Sequence, residues 1–394
     1  MPFSIKFTLF LIISGLISGI SASQVIEANQ SYYKEIKFER DASFGDTDDV
    51  FLGRIHDVAV DDRGRVYLAD GDQTVVHVYN PDGSYNQSLG RQGSGPGEFE
   101  LITPATHIRF ANDQVFITDG PHRSPHRFHI FDTGTLNFVE TRKLRAENKE
   151  DVSDELKPYL PNLIFPLTNG EMLVSYSHMF SPAYFKRAGN STTYYIHDGD
   201  DLISSNEIFE HPDQVYLSTT SRTNRFYSRF FSFNRKPLFT VTSNEEIVYS
   251  WTESFKIDIY DISGNHQRSI TFPFENRELT EDDIDKSILR CDRGFDDGIC
   301  TDMVREASHI PETWPALNDL LADDENRLWV STIVEDFDVY EWWVLEASGE
   351  LITTFEWPRN EPIEVIKNGK MYTRQTDEET GLQQVVRYGI EMEL

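Results

Sequence analysis

Through most of the chain, apolar and polar residues alternate with a period of two in short runs bounded by Gly, Pro, Asp and Asn, the pattern of half-buried strands joined by tight turns. DVAVDDRGRVYLAD, from Asp57 to Asp70, sets two alternating stretches on either side of a turn at Asp61 to Gly64. VVHVYNPDGSYNQSL, from Val75 to Leu89, repeats the arrangement around Pro81, Asp82 and Gly83, residue types whose preset or permissive backbone angles favour a turn. Together the two hairpins predict a four-stranded antiparallel meander.

The pattern returns at His107–Asp119 with Arg127–Asp132, at Ile164–Tyr176 with Thr192–Asp200, and at Phe239–Trp251 with Phe255–Asn265. Further copies run over Leu320–Ser331 with Tyr340–Glu350 and over Val365–Thr373 with Leu382–Gly389, which makes six in all. Their separations of roughly 40 to 80 residues mark a repeat architecture stretched by insertions. A small twisted sheet cannot bury both faces alone, so neighbours must stack on it, and closing the stack into a ring removes its exposed ends. The expected fold is therefore all-β, a six-bladed β-propeller with a short helical, disulfide-containing insertion, built as one domain over residues 24–394. The last copy is short of strands, and the lone strand pattern SYYKEIKFER at 31–40 is expected to complete it and close the ring.

Val58 to Asp70, GRQGSGPGEFELITP from Gly90 to Pro104, and HRFHIFD from His126 to Asp132 resemble the NHL-repeat family of propellers and the exported six-bladed propellers related to it. The linker from Gly93 to Phe99 is the most specific part of the resemblance. In that family's blade order, connections from an outer strand to the next inner strand lie on the face where ligands enter. Long insertions at about 140–162, 210–238 and 273–315 fall at such connections and are expected to roof one end of the central channel; loops of this length are uncommon unless they act or are disordered.

Each insertion reads differently. In 273–315, Thr280 with Asp283 three positions on resembles a capping box, and Glu281, Asp282 and Asp283 suit the positive end of a helix, so this acidic run reads as a solvated helix start. In 210–238 the chain turns basic and aromatic: Gln214 to Asn244 holds no acidic residue, while Arg222, Arg225, Arg229, Arg235 and Lys236 lie among six Tyr and Phe. Arginine forks beside aromatic faces suit an anionic or carbohydrate ligand, or the carboxylates of a protein or peptide partner. The same residues also suit packing between blades, with the arginines paired to the chain's own carboxylates.

The resemblance implies a second chemistry, since amidating lyases among such propellers bind a metal through channel histidines and streptogramin lyases use a channel histidine for elimination. His56 and His107 stand where inner strands begin, with Asp57, Asn318 and Asp319 at comparable places. Imidazole with carboxylate can ligate a divalent metal, zinc or calcium, or act as a general base. Copies three, four and six offer no such histidine, and His122, His126 and His129 share one loop and strand, where structural roles are expected. GxSxG, HExxH, GxxxxGK[ST] and a strand–helix GxGxxG are all missing from the sequence.

Charge and the termini narrow the setting. With 66 acidic against 36 basic residues and a formal charge of -30, the chain is repelled by phosphate backbones, which disfavours nucleic acid as a partner. Lys6, the apolar run Phe7–Ile20 and the small residues Ser21 to Ser23 have the layout of a secretory signal peptide over residues 1–23. About 14 residues at roughly 1.5 Å rise cannot cross a hydrocarbon core of about 30 Å, so no span is expected after cleavage. An exported, periplasmic or secreted protein is the expectation. In an oxidising compartment Cys291 and Cys300, the two cysteines of the chain, most simply form a disulfide. The sequence thus points to a binding or scaffolding module working on the insertion-roofed face, or alternatively to a metal-assisted lyase or hydrolase in the channel.

Overall fold

The alternating runs fold into six antiparallel meanders in a computed structural model that describes residues 24–25, 35–45, 50–120, 127–144, 159–178, 184–185, 189–199, 203–292 and 298–393. The segment 1–23, read as a signal peptide, lies outside the described residues, as do His122 and His126. The first strand, β1 (Gln24–Val25), runs parallel to the outer strand of the fourth blade. The second, β2 (Glu35–Phe44), belongs to the sixth.

The first blade is β3 (Ile55–Val60), β4 (Val66–Asp70), β5 (Val75–Tyr79) and β6 (Tyr85–Leu89), hydrogen-bonded in that order from inside to outside. The second blade repeats it with β7 (Ile108–Ala111), β8 (Gln114–Asp119), β9 (Arg127–Asp132) and β10 (Phe138–Lys143). In the third, β11 (Tyr159–Pro166), β12 (Met172–His178) and β13 (Ser191–His197) are joined by β14 (Phe209–Pro212), so the span from 210 opens with a blade strand before its own hairpin, β15 (Leu217–Thr220) and β16 (Phe226–Arg229). The fourth blade is β17 (Pro237–Val241), β18 (Ile247–Trp251), β19 (Lys256–Tyr260) and β20 (His266–Thr271). Two helices follow, α1 (Glu281–Asp292) and α2 (Ile299–Glu306), and then the fifth blade, β21 (Leu317–Ala322), β22 (Leu328–Ile333), β23 (Val339–Leu345) and β24 (Leu351–Pro358). The sixth takes β25 (Ile363–Lys367), β26 (Lys370–Thr376) and β27 (Gln383–Glu393) from the C-terminal end and β2 from the N-terminal end, paired from Glu35 with Glu393 to Phe44 with Val385.

Apolar side chains from each blade meet those of the next. Tyr67 and Val76 pack with Ile108 and Val115 between the first two blades, and Phe116 and Phe128 with Met172 and Val174 between the next two. Tyr194 and Phe209 face Ile247 and Phe239 in the third seam, Ile257 faces Val330 in the fourth, and Trp329 and Trp342 face Ile363 and Met371 in the fifth. Phe44, Tyr372 and Val385 close the circle against Val58, Val66 and Tyr79 of the first blade.

Polar groups that enter this packing are tied locally. Asp61 accepts from the Arg63 and Arg65 amides, from Arg65 Nε at 2.8 Å and from Tyr67 Oη at 3.1 Å. Asp323 does the same in the fifth blade with the Glu325 and Arg327 amides, Arg327 Nε at 2.7 Å and Trp329 Nε1 at 3.0 Å. His129 is fully buried between Asp119 Oδ2 at 3.3 Å and Thr141 Oγ1 at 2.8 Å, which makes it a structural residue. His77 stands likewise between Asp70 at 3.5 Å and Ser88 at 3.0 Å.

Phe44 meets Tyr79 edge-on and Tyr372 at a tilt, each 6.2 Å away, and is the aromatic joint between the sixth and first blades. Phe44→Ala is expected to destabilise the protein by about 3–5 kcal/mol. Phe51→Ala, the same deletion at a residue 60% exposed, is expected to cost less than about 0.5 kcal/mol. Chemical denaturation of the two variants checks the contrast.

Candidate functional site

Because every blade runs from inside to outside in the same sense, the inner strands all enter the channel at one end. Four of them slip register there: β3 between Ile55 and Asp57, β11 between Pro161 and Ile164, β21 between Leu317 and Asp319, and β25 between Ile363 and Val365. A bulge of this kind takes a residue out of the ladder and re-aims its side chain. The residues concerned are His56, Asn162 with Leu163, Asn318 and Glu364.

Acids and bases alternate around this mouth. Asp57 lies 3.7 Å from Arg109 and accepts the Ile108 amide at 2.6 Å. Glu364 lies 3.0 Å from Arg374, which also donates to the Ile55 carbonyl at 2.6 Å. Asp319 lies 3.8 Å from Lys236 and accepts from Asn318 Nδ2 at 2.7 Å. Burial pushes the Asp57 carboxyl up to about 6 against the pull of Arg109. It pushes Glu364 up to about 7 against Arg374, with Asp57 and Asp319 near enough to add to the rise. His107, half-buried and beside Arg109, is pushed down to about 3 by the loss of solvent and is a neutral imidazole.

The sequence-predicted residues therefore separate. Asp57 and Asp319 share the mouth with Glu364, and Asn318 orients Asp319. His56 instead packs over Gly71, where an added Cβ would come within 2.4 Å of its ring; burial and the neighbouring Arg54 hold its pKa below the usual histidine range. No group of three or more His, Cys, Asp or Glu among the described residues is placed to hold a metal. Arg222 and Arg225 lie in the exposed tip of the β15–β16 hairpin, and Arg229 ends β16 with its side chain exposed. Glu364, Arg374 and Arg109 escaped the sequence reading, although Glu364 sits one residue into an inner strand, where His56 and Asn318 drew attention in their own copies.

Beside the mouth, the hairpin and the helices fold together as one cap. Leu217, Phe231 and Phe233 share a core with Leu279, Ile299, Met303 and Trp314. Thr280 and Asp283 form the expected capping box, each side chain accepting the other's amide, and Asp283 also accepts from Trp314 Nε1 at 3.2 Å. The Cys291–Cys300 disulfide joins α1 to α2. Arg235 is buried and donates to the Phe233 and Thr313 carbonyls, to Thr313 Oγ1 and to Glu253, stitching hairpin, helical segment and fourth blade together.

Three adjoining cavities lie along this cap. One of about 580 Å³ lies between hairpin and α2, lined by Tyr216, Arg235, Glu306 and His309. The next, about 310 Å³, is lined by Tyr184, Phe185, Gln214, Tyr216 and Trp251. A third, about 300 Å³, opens between the inner strands of the third and fourth blades, lined by Asn162, Asp213, Gln214, Tyr216 and Phe239. Tyr216 borders all three, so they read as one groove from blade seam to helix. Its one lining guanidinium, Arg235, is already saturated, while Asp213, Glu253, Glu306 and Glu312 add negative charge. The exposed arginines of the basic insertion lie at the hairpin tip, apart from this groove, whose own lining is aromatic and acidic.

Carboxyls raised in the folded state favour the protonated form, so Asp57 and Glu364 contribute stability that is complete below about pH 4 and lost as pH rises through about 6 and 7. The melting midpoint is expected to fall between pH 5 and pH 8 on this account. The fall should be smaller in Asp57→Asn/Glu364→Gln, as differential scanning calorimetry across that range will read.

Comparison with known proteins bears on the fold. An aligned Bacteroides fragilis structure, described as a candidate exported protein, is 10% identical over 94% of this chain and 99% of its own, with a TM-score of 0.52. The PQQ-bound aldose sugar dehydrogenase of Streptomyces coelicolor is 9% identical over 91% and 98%, at 0.43. Virginiamycin B lyase of Staphylococcus aureus is 10% identical over 90% and 99%, at 0.39. Likeness at such identity concerns the fold alone. No curated protein matches in sequence. Residues 44–293, more than half of the 394, match the family described as 6-bladed beta-propeller, and the chain belongs to that family.

Proposed function

We propose that this is an exported binding module, related to the NHL-repeat propellers, whose ligand or partner docks along the groove between the cap and the third and fourth blades. The observation that carries the reading is the continuity of the groove across Tyr216, backed by a cap with its own core. Binding sites are concave, largely pre-formed and lined by aromatic groups with a few placed polar ones. Tyr184, Phe185, Tyr216 and Trp251 supply faces for stacking; Asn162, Gln214 and Asp213 supply hydrogen-bonding groups. Export is supported by the leader-like segment at 1–23 and by the description of the Bacteroides fragilis neighbour. No helix among the described residues is long and apolar enough to cross a membrane.

A second reading, catalysis at the channel mouth, is favoured by the raised Asp57 and Glu364 and the neutral His107, because carboxyls poised near 6 and 7 suit proton transfer. Metal assistance would depend on His56 and His107, whose rings have different surroundings.

Two measurements separate the readings. Screened against soluble oligosaccharides and peptides, the chain is expected to yield a ligand whose affinity falls about tenfold or more in Tyr216→Ala, a loss in the range of an aromatic hot spot, and is unchanged in Arg222→Gln/Arg225→Gln. A ligand indifferent to Tyr216→Ala would remove the groove from consideration. Elemental analysis of the purified protein is expected to find no stoichiometric zinc or calcium; a full equivalent lost in His56→Ala/His107→Ala would favour the enzyme instead.

A further inference from the structure

A concentration of positive charge lies apart from the groove, where α1 and the fifth blade meet. Arg359, just after β24, holds its guanidinium 4.3 Å from the Tyr340 ring and 4.5 Å from Phe337. Arg290, near the end of α1, lies 5.1 Å from the same Phe337 ring. Arg277 lies 5.7 Å from Trp314, whose indole is 5.4 Å from Phe337. Three cations from three separate segments thus share one aromatic floor, in a chain with a formal charge of -30.

Of the three, Arg277 alone is paired with a carboxylate. Arg359 donates to the Val339 and Asp336 carbonyls, which are uncharged. The Arg290 side chain makes no hydrogen bond or ion pair among the described residues. Arg277 is paired through Nη2 with Asp283 Oδ1 at 3.1 Å, but Asp283 is shared with Thr280 and Trp314, and Arg277 Nη1 is buried with no hydrogen-bond partner. Other acids nearby are exposed: Asp336 and Asp338, and Glu275, Glu278 and Glu335, which border an open cavity of about 860 Å³ with Arg277. Burial pulls the Arg359 pKa down, with Tyr340 and Asp336 opposing the fall and the charges of Arg277 and Arg290 adding to it, which places the three guanidinium groups within electrostatic reach of one another.

We propose that Arg277, Arg290 and Arg359 bind a doubly charged tetrahedral oxyanion, a phosphate or sulfate group. Guanidinium forks donate paired hydrogen bonds to oxyanions, and ring faces hold the cations in place before the ligand arrives. An oxyanion here gives the unpartnered Nη1 and the Arg290 fork acceptors and relieves the like-charge repulsion. The site stands independently of the groove.

Isothermal titration of the full chain at low ionic strength with inorganic phosphate, inorganic sulfate and glucose 6-phosphate tests it. Saturable binding is expected, weakened about tenfold or more in Arg290→Gln and in Arg359→Gln, partly kept in Arg290→Lys and unchanged in Arg222→Gln/Arg225→Gln. Tighter binding of glucose 6-phosphate would support an esterified group as the source, tighter binding of the inorganic ions a free one. Absence of saturable heat with all three probes overturns the site. So does binding that survives both glutamine variants, or variants that lower the melting midpoint while leaving binding intact. Should Arg359→Gln fail to fold, the exposed Arg290 carries the test alone.

Discussion

A blade of this protein has two apolar faces, and water tolerates neither. Each can be covered only by the face of a neighbour, so the demand passes from blade to blade until the last meets the first. Burying a Phe or Leu fully is worth roughly 1.5–3 kcal/mol, and every seam contains several such residues. The joint at Phe44 is where the ends of the chain meet, and there β2 supplies hydrogen bonds as well as apolar surface. Once the seams are filled, the inner strands have no freedom left to choose where they begin. The channel mouth, with its ring of acids and bases, is thus a geometric product of packing elsewhere.

Much of this was legible because packing writes itself as alternation. The strand–turn–strand units, the Thr280–Asp283 capping box and the close pair of cysteines each follow from local chemistry. What stayed hidden depends on distance or on subtle local geometry. β14 is four residues, Phe209–Pro212, too short to show a period. The β15–β16 hairpin turns at Asn224, whose φ of 62° is left-handed, within a run that reads as a basic loop. A bulge adds one residue to a strand and leaves its composition unchanged, so Glu364 looks like any outward-facing position until its partner strand is seen. Its pairing with Arg374 crosses a hairpin and has no sequence signal of its own.

The basic insertion illustrates why residue type alone misleads. Five cations in one stretch read as one patch, yet Arg235 is a buried clamp, Lys236 faces Asp319, and Arg222 and Arg225 are left at an exposed tip. The arginines that do gather, Arg277, Arg290 and Arg359, come from segments up to about eighty residues apart and converge only because the cap settles on the fifth blade. Charge is patterned here in space, against a strongly negative average.

The register slips at the start of the inner strands have a wider meaning. Each lifts one side chain, or two in β11, out of the hydrogen-bonded lattice, so its identity is freed from the demands of strand pairing. Such positions act as interchangeable sockets: His, Asn and Glu already occupy them in different blades of one molecule. An architecture built this way can exchange its chemistry one spoke at a time while the wheel stays the same.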